Sequence, residues 1–410
     1  MLASQLRIAM LSAHSCPVGN PGAKDTGGMS VYIRELAREL GKQGHLVDVY
    51  TRVHDPIDSQ IYNLGQNARL IHLRAGEDEE IHKLAVYSYL PDFACNLENF
   101  RKDDGARYDL VFSHYWLSAW AGRYLQQWWH VPHITMFHTL GAVKNATGIG
   151  EDEPELRLEA ERELAQTCQH IIASTEKEKE DLIRYYGASP RSIGVIPCGV
   201  NLELFKPADK KTARQQLGLT DDKIILFVGR IEPLKGIDQL LKAMPYMQNT
   251  HRPRLVLIGG DENSQHEMER LKALSRNLHI EDSVTFPGLI KQERLPPFYC
   301  AADVCVVPAY HESFGLVALE SLACGTPVVA NDVGALRDII RQGDTGYVVA
   351  DNTPHHLAEK IAFILSGPGP DKKSALSIRA SVSRFGWPSI AGAIIREFRL
   401  VLANYPVPVA

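Results

Sequence analysis

Short apolar runs rich in Val and Ile alternate along almost the whole chain with segments whose apolar residues recur at helical spacing. In the second half the runs are 224–229, 254–260, 283–288, 303–309 and 326–330, and several close on glycine. Between them, Leu240, Leu241 and Met244 share one face of a predicted helix, and 314–323 reads as another. In the first half the runs are 6–12, 46–51, 68–73, 109–114, 133–138, 170–175 and 192–197. There Ile33, Leu36, Ala37 and Leu40 have the i, i+3, i+4, i+7 spacing of an amphipathic helix. Continuous short apolar runs suit strands covered on both faces, and strands alternating with helices predict parallel βαβ units. The chain therefore reads as α/β, with two Rossmann-like domains in tandem at 1–200 and 201–385. The join falls in PCGVNLELFKPADKK, where Pro, Gly and charge cluster. Residues 386–410 follow the breaker FGWP, and Ala391, Ile394, Ile395 and Phe398 outline one last helix.

Composition narrows the function classes. Of 410 residues, 45% are hydrophobic and 23% charged, enough apolar material for ordinary cores. A net charge of -5 argues against nucleic acid as a partner, while leaving room for a locally basic site that takes a small anion. The seven cysteines (Cys16, Cys95, Cys168, Cys198, Cys300, Cys305 and Cys324) form no Cys-x-x-Cys pair. Their odd number speaks against a disulfide framework or structural zinc and for a reducing, cytoplasmic setting, with several as small core residues. The run 6–12, broken by Arg7, reads as a first strand rather than a signal peptide, and no run approaches the ~20 residues of a membrane helix. His45, Asp48 and His54 do not make a metal-ligand set, so no metal site is expected.

Open parallel sheets bind ligands at the carboxyl ends of their strands, which directs attention to four loops. The loop after the first strand carries His14 and leads to Gly27 and Gly28 at a helix start, where backbone N–H groups can approach a phosphate; a plain surface loop fits equally well. GRIEPLKG places Arg230 and Lys235 after a buried strand, a pair suited to a diphosphate; alone, a solvated basic loop explains them as well. HESFGLVALESLACGTP puts Glu312 before a helix and Glu320 inside it, with Ser313 as the expected N-cap. Glu320 stands among Leu316, Val317, Leu319 and Leu322; if buried it needs a partner such as a ribose diol, and a structural ion pair or a solvent-facing position is the commoner fate of a lone glutamate. FHTLGAVKN supplies His138 and Lys144.

In this combination and order the motifs resemble those of the retaining GT-B glycosyltransferases of the glycosyltransferase group 1 family. ESFGLVALE followed by CGTPVVA carries most of the likeness, with GRIEPLKG and CGVNLELF beside it. Two branches of the family look nearest. DTGGMSVYI, SHYWLS, HTLGAVKNA, EPELR and ESFGLV resemble the mycothiol-pathway inositol-phosphate N-acetylglucosaminyltransferases, and HTLGAVK also resembles sucrose-phosphate synthases. The resemblance implies a GT-B fold with the last helix crossing back to the first domain, and a UDP-sugar as donor with no cofactor required. It implies that Arg230 and Lys235 hold the donor diphosphate, Glu312 the transferred sugar and Glu320 the ribose. Gly28, Ser313, Phe314, Gly315 and Leu316 would complete the donor site, with His138 beside the sugar. Lys83, Tyr115, Thr139 and Arg157 would grip an acceptor phosphate, with His14, Gly27 and Lys144 around it. A small phosphorylated polyol or sugar is then the expected acceptor, and a glycan or lipid acceptor and a homodimer stay open. A dinucleotide-dependent oxidoreductase is disfavoured by the missing G-x-G-x-x-G, and a catalytically silent binding protein by the presence of all four charged residues.

Overall fold

The computed structural model describes residues 5–19, 27–79, 81–219, 221–247, 252–367, 369 and 372–405. Among the described residues, fourteen strands make two sheets. The first comprises β1 (Arg7–Leu11), β2 (Leu46–Arg52), β3 (Ile61–Gly65), β4 (Ala68–Leu73), β5 (Leu110–His114), β6 (His133–Met136), β7 (His170–Ala173) and β8 (Ile193–Val195). Its order is β3-β4-β2-β1-β5-β6-β7-β8, parallel except for the β3–β4 edge hairpin. The second comprises β9 (Ile224–Val228), β10 (Arg254–Ile258), β11 (Val284–Gly288), β12 (Val304–Val307), β13 (Val328–Asn331) and β14 (Gly346–Val349). Its order is β11-β10-β9-β12-β13-β14, and every pair is parallel. All the strand runs read from the apolar pattern form strands. The pattern missed β3, largely exposed and polar, and β14, which opens on Gly346 directly after a turn and leaves Tyr347 and Val348 only partly buried.

Central strands are buried along their length, as helices on both faces require. The helix Gly28–Lys42 buries Ile33, Leu36, Ala37 and Leu40, the predicted stripe. Six cysteines are buried and free, packed as small apolar residues; Cys95 is exposed. Asp48 is engaged by Arg7 at 2.9 Å and Arg69 at 2.6 Å, a structural ion cluster on the first sheet rather than a metal ligand.

The chain passes between the halves twice, and the two passages lie side by side. Val200 N donates to Phe385 O at 2.8 Å, and Val200 bridges Gly386 in parallel. After this point the helix Trp387–Asn404 lies on the first half. Trp387 meets Tyr32 edge-on at 5.4 Å, Phe398 meets Phe112 at 5.1 Å, and Glu397 pairs with His170 at 2.7 Å. Phe398 is fully buried. Phe398→Ala is expected to cost about 3–5 kcal/mol through lost burial and the cavity left behind. Urea unfolding followed by tryptophan fluorescence reads this as a lowered midpoint; an unchanged midpoint would show that the helix does not hold the first half together.

Candidate active site

Strand order reverses once in each sheet: β1 lies between β2 and β5, and β9 between β10 and β12. At such a reversal the loops following adjacent strands diverge and leave a crevice. The two crevices open on one cavity of about 330 Å³, and every residue singled out from the sequence lines it. Asp25 and Thr26 of the DTGG motif lie outside the described residues.

On the first sheet, the loop after β1 supplies His14 and the first residue of the helix Tyr115–Trp129, directly after β5, supplies Tyr115, with ring centroids 4.4 Å apart. Tyr115 (φ 73°) and His138 (φ 63°) occupy the left-handed region, uncommon for bulky residues. Such backbone persists where packing over-determines it, and here it turns both side chains to the cavity wall. His138 shares a proton with buried His114 across 2.9 Å, and burial lowers its pKa to about 3. His14 is likewise lowered to about 3, by burial and then by nearby His54, Lys83 and Arg157. Both rings are therefore neutral at physiological pH.

Beyond Tyr115 lies a cluster of charges. Arg157, 1% exposed, donates from Nη2 to the carbonyl and hydroxyl oxygens of Thr139, each at 3.0 Å, and from Nε to Glu161 at 2.7 Å. Its guanidinium sits 4.9 Å from the centre of the Tyr115 ring. Its Nη1 lies 2.9 Å from Glu153, which also pairs with Lys144 and, at 3.6 Å, with Lys83. Glu153 was not singled out from the sequence, although it opens the EPELR motif that yielded Arg157. Burial raises its carboxyl, but Arg157, Lys144 and Lys83 outweigh that and hold it at about 2.

On the second sheet, Lys235 follows β9 and Glu312 follows β12, and they pair across the reversal at 2.8 Å. Burial pushes the Glu312 carboxyl up, yet Lys235, His311 and Arg230 keep it below its ordinary value. Arg230 is half exposed and held to Glu232 at 2.9 Å. The helix that follows Glu312 is Leu316–Ala323, two residues shorter than expected. Ser313 does not cap it. Gly315 (φ 101°) occupies the cap position, with no side-chain cap bond, and a Cβ there would lie 2.6 Å from Leu336. Across the cavity, a Cβ on Gly28 would lie 3.2 Å from Leu316, so glycine there lets the two halves approach closely.

Glu320 is buried and has protein partners: Gln292 Nε2 donates to it at 2.8 Å and the Tyr299 hydroxyl at 2.7 Å. Gln292 in turn accepts from Arg34 of the first half at 2.5 Å, which carries the network across the cavity. Gln292 was invisible in the sequence because nothing local marks it. Tyr32 Oη, His14 Nδ1 and His311 Nε2 are buried, line the cavity and have no hydrogen-bond partner among the described residues, as a polar ligand's site requires. The cluster with metal-ligand spacing among the described residues, His355, His356 and Glu359, is exposed and does not line the cavity.

Burial raises the Glu320 pKa to about 7, against the lowering by Gln292 and Tyr299. An unfolded glutamate ionises near ~4.3. The folded protein thus holds this proton more tightly, and its contribution is full below about pH 4 and lost as pH rises through 7. Relative to Glu320→Gln, the unliganded protein is expected to lose about 4 kcal/mol across that window, taking ~1.4 kcal/mol per tenfold in proton affinity. Chemical unfolding of both proteins at several pH values measures it; parallel profiles would refute the raised pKa.

Comparison with known proteins agrees with the two-part architecture. The model of Glycosyltransferase Family 4 matches residues 26–204 and that of Glycosyl transferases group 1 matches 209–381. D-inositol 3-phosphate glycosyltransferase 2 of Catenulispora acidiphila is 39% identical over 397 residues, 94% of this chain and 93% of that protein. Sucrose-phosphate synthase from Thermosynechococcus elongatus superposes with a TM-score of 0.89 at 34% identity, covering 97% of this chain and 100% of that one. Anabaena Alr3699/HepE, solved in complex with UDP-glucose, shares the fold at 18% identity and a TM-score of 0.74, covering 97% and 100%. The chain belongs to the glycosyl transferases group 1 family and is a nucleotide-sugar-dependent glycosyltransferase of GT-B architecture.

Proposed function

We propose that the chain transfers a hexose, GlcNAc or glucose, from a UDP-sugar to a small phosphorylated polyol or sugar such as an inositol phosphate, with retention at the anomeric carbon. The observation that carries this reading is a pair of cationic clusters on opposite walls of one cavity. Arg230 and Lys235 stand on the second sheet, and Lys83, Lys144 and Arg157 on the first. Two separate anions then find counter-charge, the diphosphate of a donor and the phosphate of an acceptor. We assign residues 201–385 to the donor, 1–200 to the acceptor, and 386–410 to a helix that ties the two together.

In this reading the bond between the anomeric carbon and the diphosphate oxygen breaks while a bond to the acceptor oxygen forms on the same face. The acceptor's proton passes to the departing phosphate. Negative charge grows on that phosphate, beside Lys235, Arg230 and the N-terminus of Leu316–Ala323. Lys235 is fixed by Glu312, so little reorganisation is needed as the charge develops. Glu312 also faces the sugar hydroxyls. Glu320 takes the ribose diol on lone pairs that Gln292 and Tyr299 leave unused. Neutral His138 lies beside the sugar as a hydrogen-bonding group rather than an acid. The charges needed come from side chains, so the reading calls for no metal and no cofactor.

Transfer of glucose to fructose 6-phosphate is the second reading, favoured by the 34% identity and close superposition with sucrose-phosphate synthase. A UDP-release assay crossing UDP-GlcNAc and UDP-glucose with inositol 3-phosphate, fructose 6-phosphate and their unphosphorylated forms separates the two. Release with phosphorylated acceptors only is expected, and release without such preference overturns the acceptor assignment. Lys235→Ala is expected to lower kcat by about 10²–10³, the scale of one lost charge-stabilising donor, with acceptor KM little changed. Equal losses in kcat and in acceptor binding would contradict its place beside the leaving group.

A further inference from the structure

Glu153 poses a problem for a site that takes a phosphate. It supplies a carboxylate to Lys83, Lys144 and Arg157 together, the three cations facing the cavity from the first sheet. The other acid beside Arg157, Glu161, is fully buried and engaged by Gly141 N at 2.9 Å as well as by Arg157 Nε. Arg157 has little left to offer: Nε serves Glu161, Nη2 serves both Thr139 oxygens, and Nη1 serves Glu153. An arriving phosphate therefore competes with the Glu153 carboxylate for these cations, most directly at Arg157.

The local backbone is built for such an exchange. Asn145 clamps residue 153 from both sides: Glu153 N donates to Asn145 Oδ1 at 2.7 Å, and Asn145 Nδ2 donates to Glu153 O at 3.1 Å. The main chain is held independently of the carboxylate's ion pairs, so an exchange needs only a rotation about the side-chain bonds. Lys83 and Lys144 keep partly exposed side chains, at 29% and 22%, so their ammonium groups can follow a ligand. A phosphate monoester brings up to two charges and three acceptor oxygens against the single charge of the carboxylate, and so wins the exchange. A neutral hydroxyl does not, and a weakly held monovalent anion gains nothing.

We propose that Glu153 is a specificity-determining residue that acts as an internal stand-in for the acceptor's phosphate. It occupies the phosphate's cations in the empty enzyme and sets the threshold an acceptor must exceed to enter. This rests on the phosphorylated-acceptor reading above. It also gives a buried acid in an anion site a purpose: three clustered cations without a counter-charge would be costly in the unliganded fold, and would collect any anion available.

The test is Glu153→Gln, with inorganic phosphate as the probe. Calorimetry at low salt is expected to show the phosphate Kd falling at least tenfold relative to wild type. Acceptor KM should fall several-fold without a rise in kcat. Chloride, inert toward wild type, should become an inhibitor competitive with the acceptor, a change that a merely structural role would not produce. Phosphate affinity that is unchanged or weaker in the variant overturns the proposal and makes Glu153 a fixed clamp for Lys83 and Lys144. If wild type shows no preference for phosphorylated acceptors, the acceptor reading falls and this proposal with it. A wild-type preference with an unresponsive variant overturns the proposal alone. Should Glu153→Gln lose cooperative melting, Glu153→Asp keeps the charge but is one methylene shorter. It is expected to bind phosphate two- to fivefold more tightly, and no gain there overturns the proposal equally.

Discussion

Where β1 meets β5, and again where β9 meets β12, adjacent strands send their following chain to opposite sides of the sheet. The polypeptide cannot close over those two points, and the architecture of the cleft depends on that constraint. His14 and Tyr115 meet at the first, Lys235 and Glu312 at the second. The short segments that carry these side chains start from the ends of rigid, buried strands. Strands buried on both faces fix the backbone to which these side chains are attached. The left-handed conformations of Tyr115 and His138 are the local cost of aiming two bulky residues into so narrow an opening.

The charges in the cleft are kept in balance without a substrate. Lys235 has Glu312, Arg230 has Glu232, and Arg157 has Glu153 and Glu161. Buried ions of one sign would otherwise weigh heavily on a fold of ordinary stability. The histidines along the cavity are managed differently: burial keeps His14, His114 and His138 uncharged. The cavity thus offers fixed cations to anionic substrates while its aromatic and imidazole surfaces stay neutral.

How much of this was legible in the sequence varies with the length scale of the signal. Buried parallel strands advertise themselves as continuous apolar runs, and the helix Gly28–Lys42 by its stripe, because one face of each must avoid water. β3 shows no such run: it is an exposed edge, antiparallel to β4, whose polarity matches solvent rather than core. β14 opens on a glycine directly after a turn, with Tyr347 and Val348 only partly buried, so it merges with that turn in the sequence. At the site, residues in dense local motifs were visible, and they line a single cavity. Gln292 was not, because it becomes relevant only through Arg34 and Glu320, both distant in the chain. The Ser313 cap failed for a reason no spacing rule contains. Tight packing against Leu336 demands a left-handed glycine at 315, and that residue starts the helix in place of the serine.

The side-by-side passages at Val200 and Gly386 have a mechanical consequence. One covalent tether between two bodies would permit swivel and twist as well as bending. Two tethers bonded to one another, Val200 beside Phe385 and Gly386, define a line, and rotation about that line strains them less than swivel or twist does. The motion these paired tethers resist least is a rotation about that line, like the covers of a book about its spine. Under such a rotation the separation of the two cavity walls is set by one angle rather than by several.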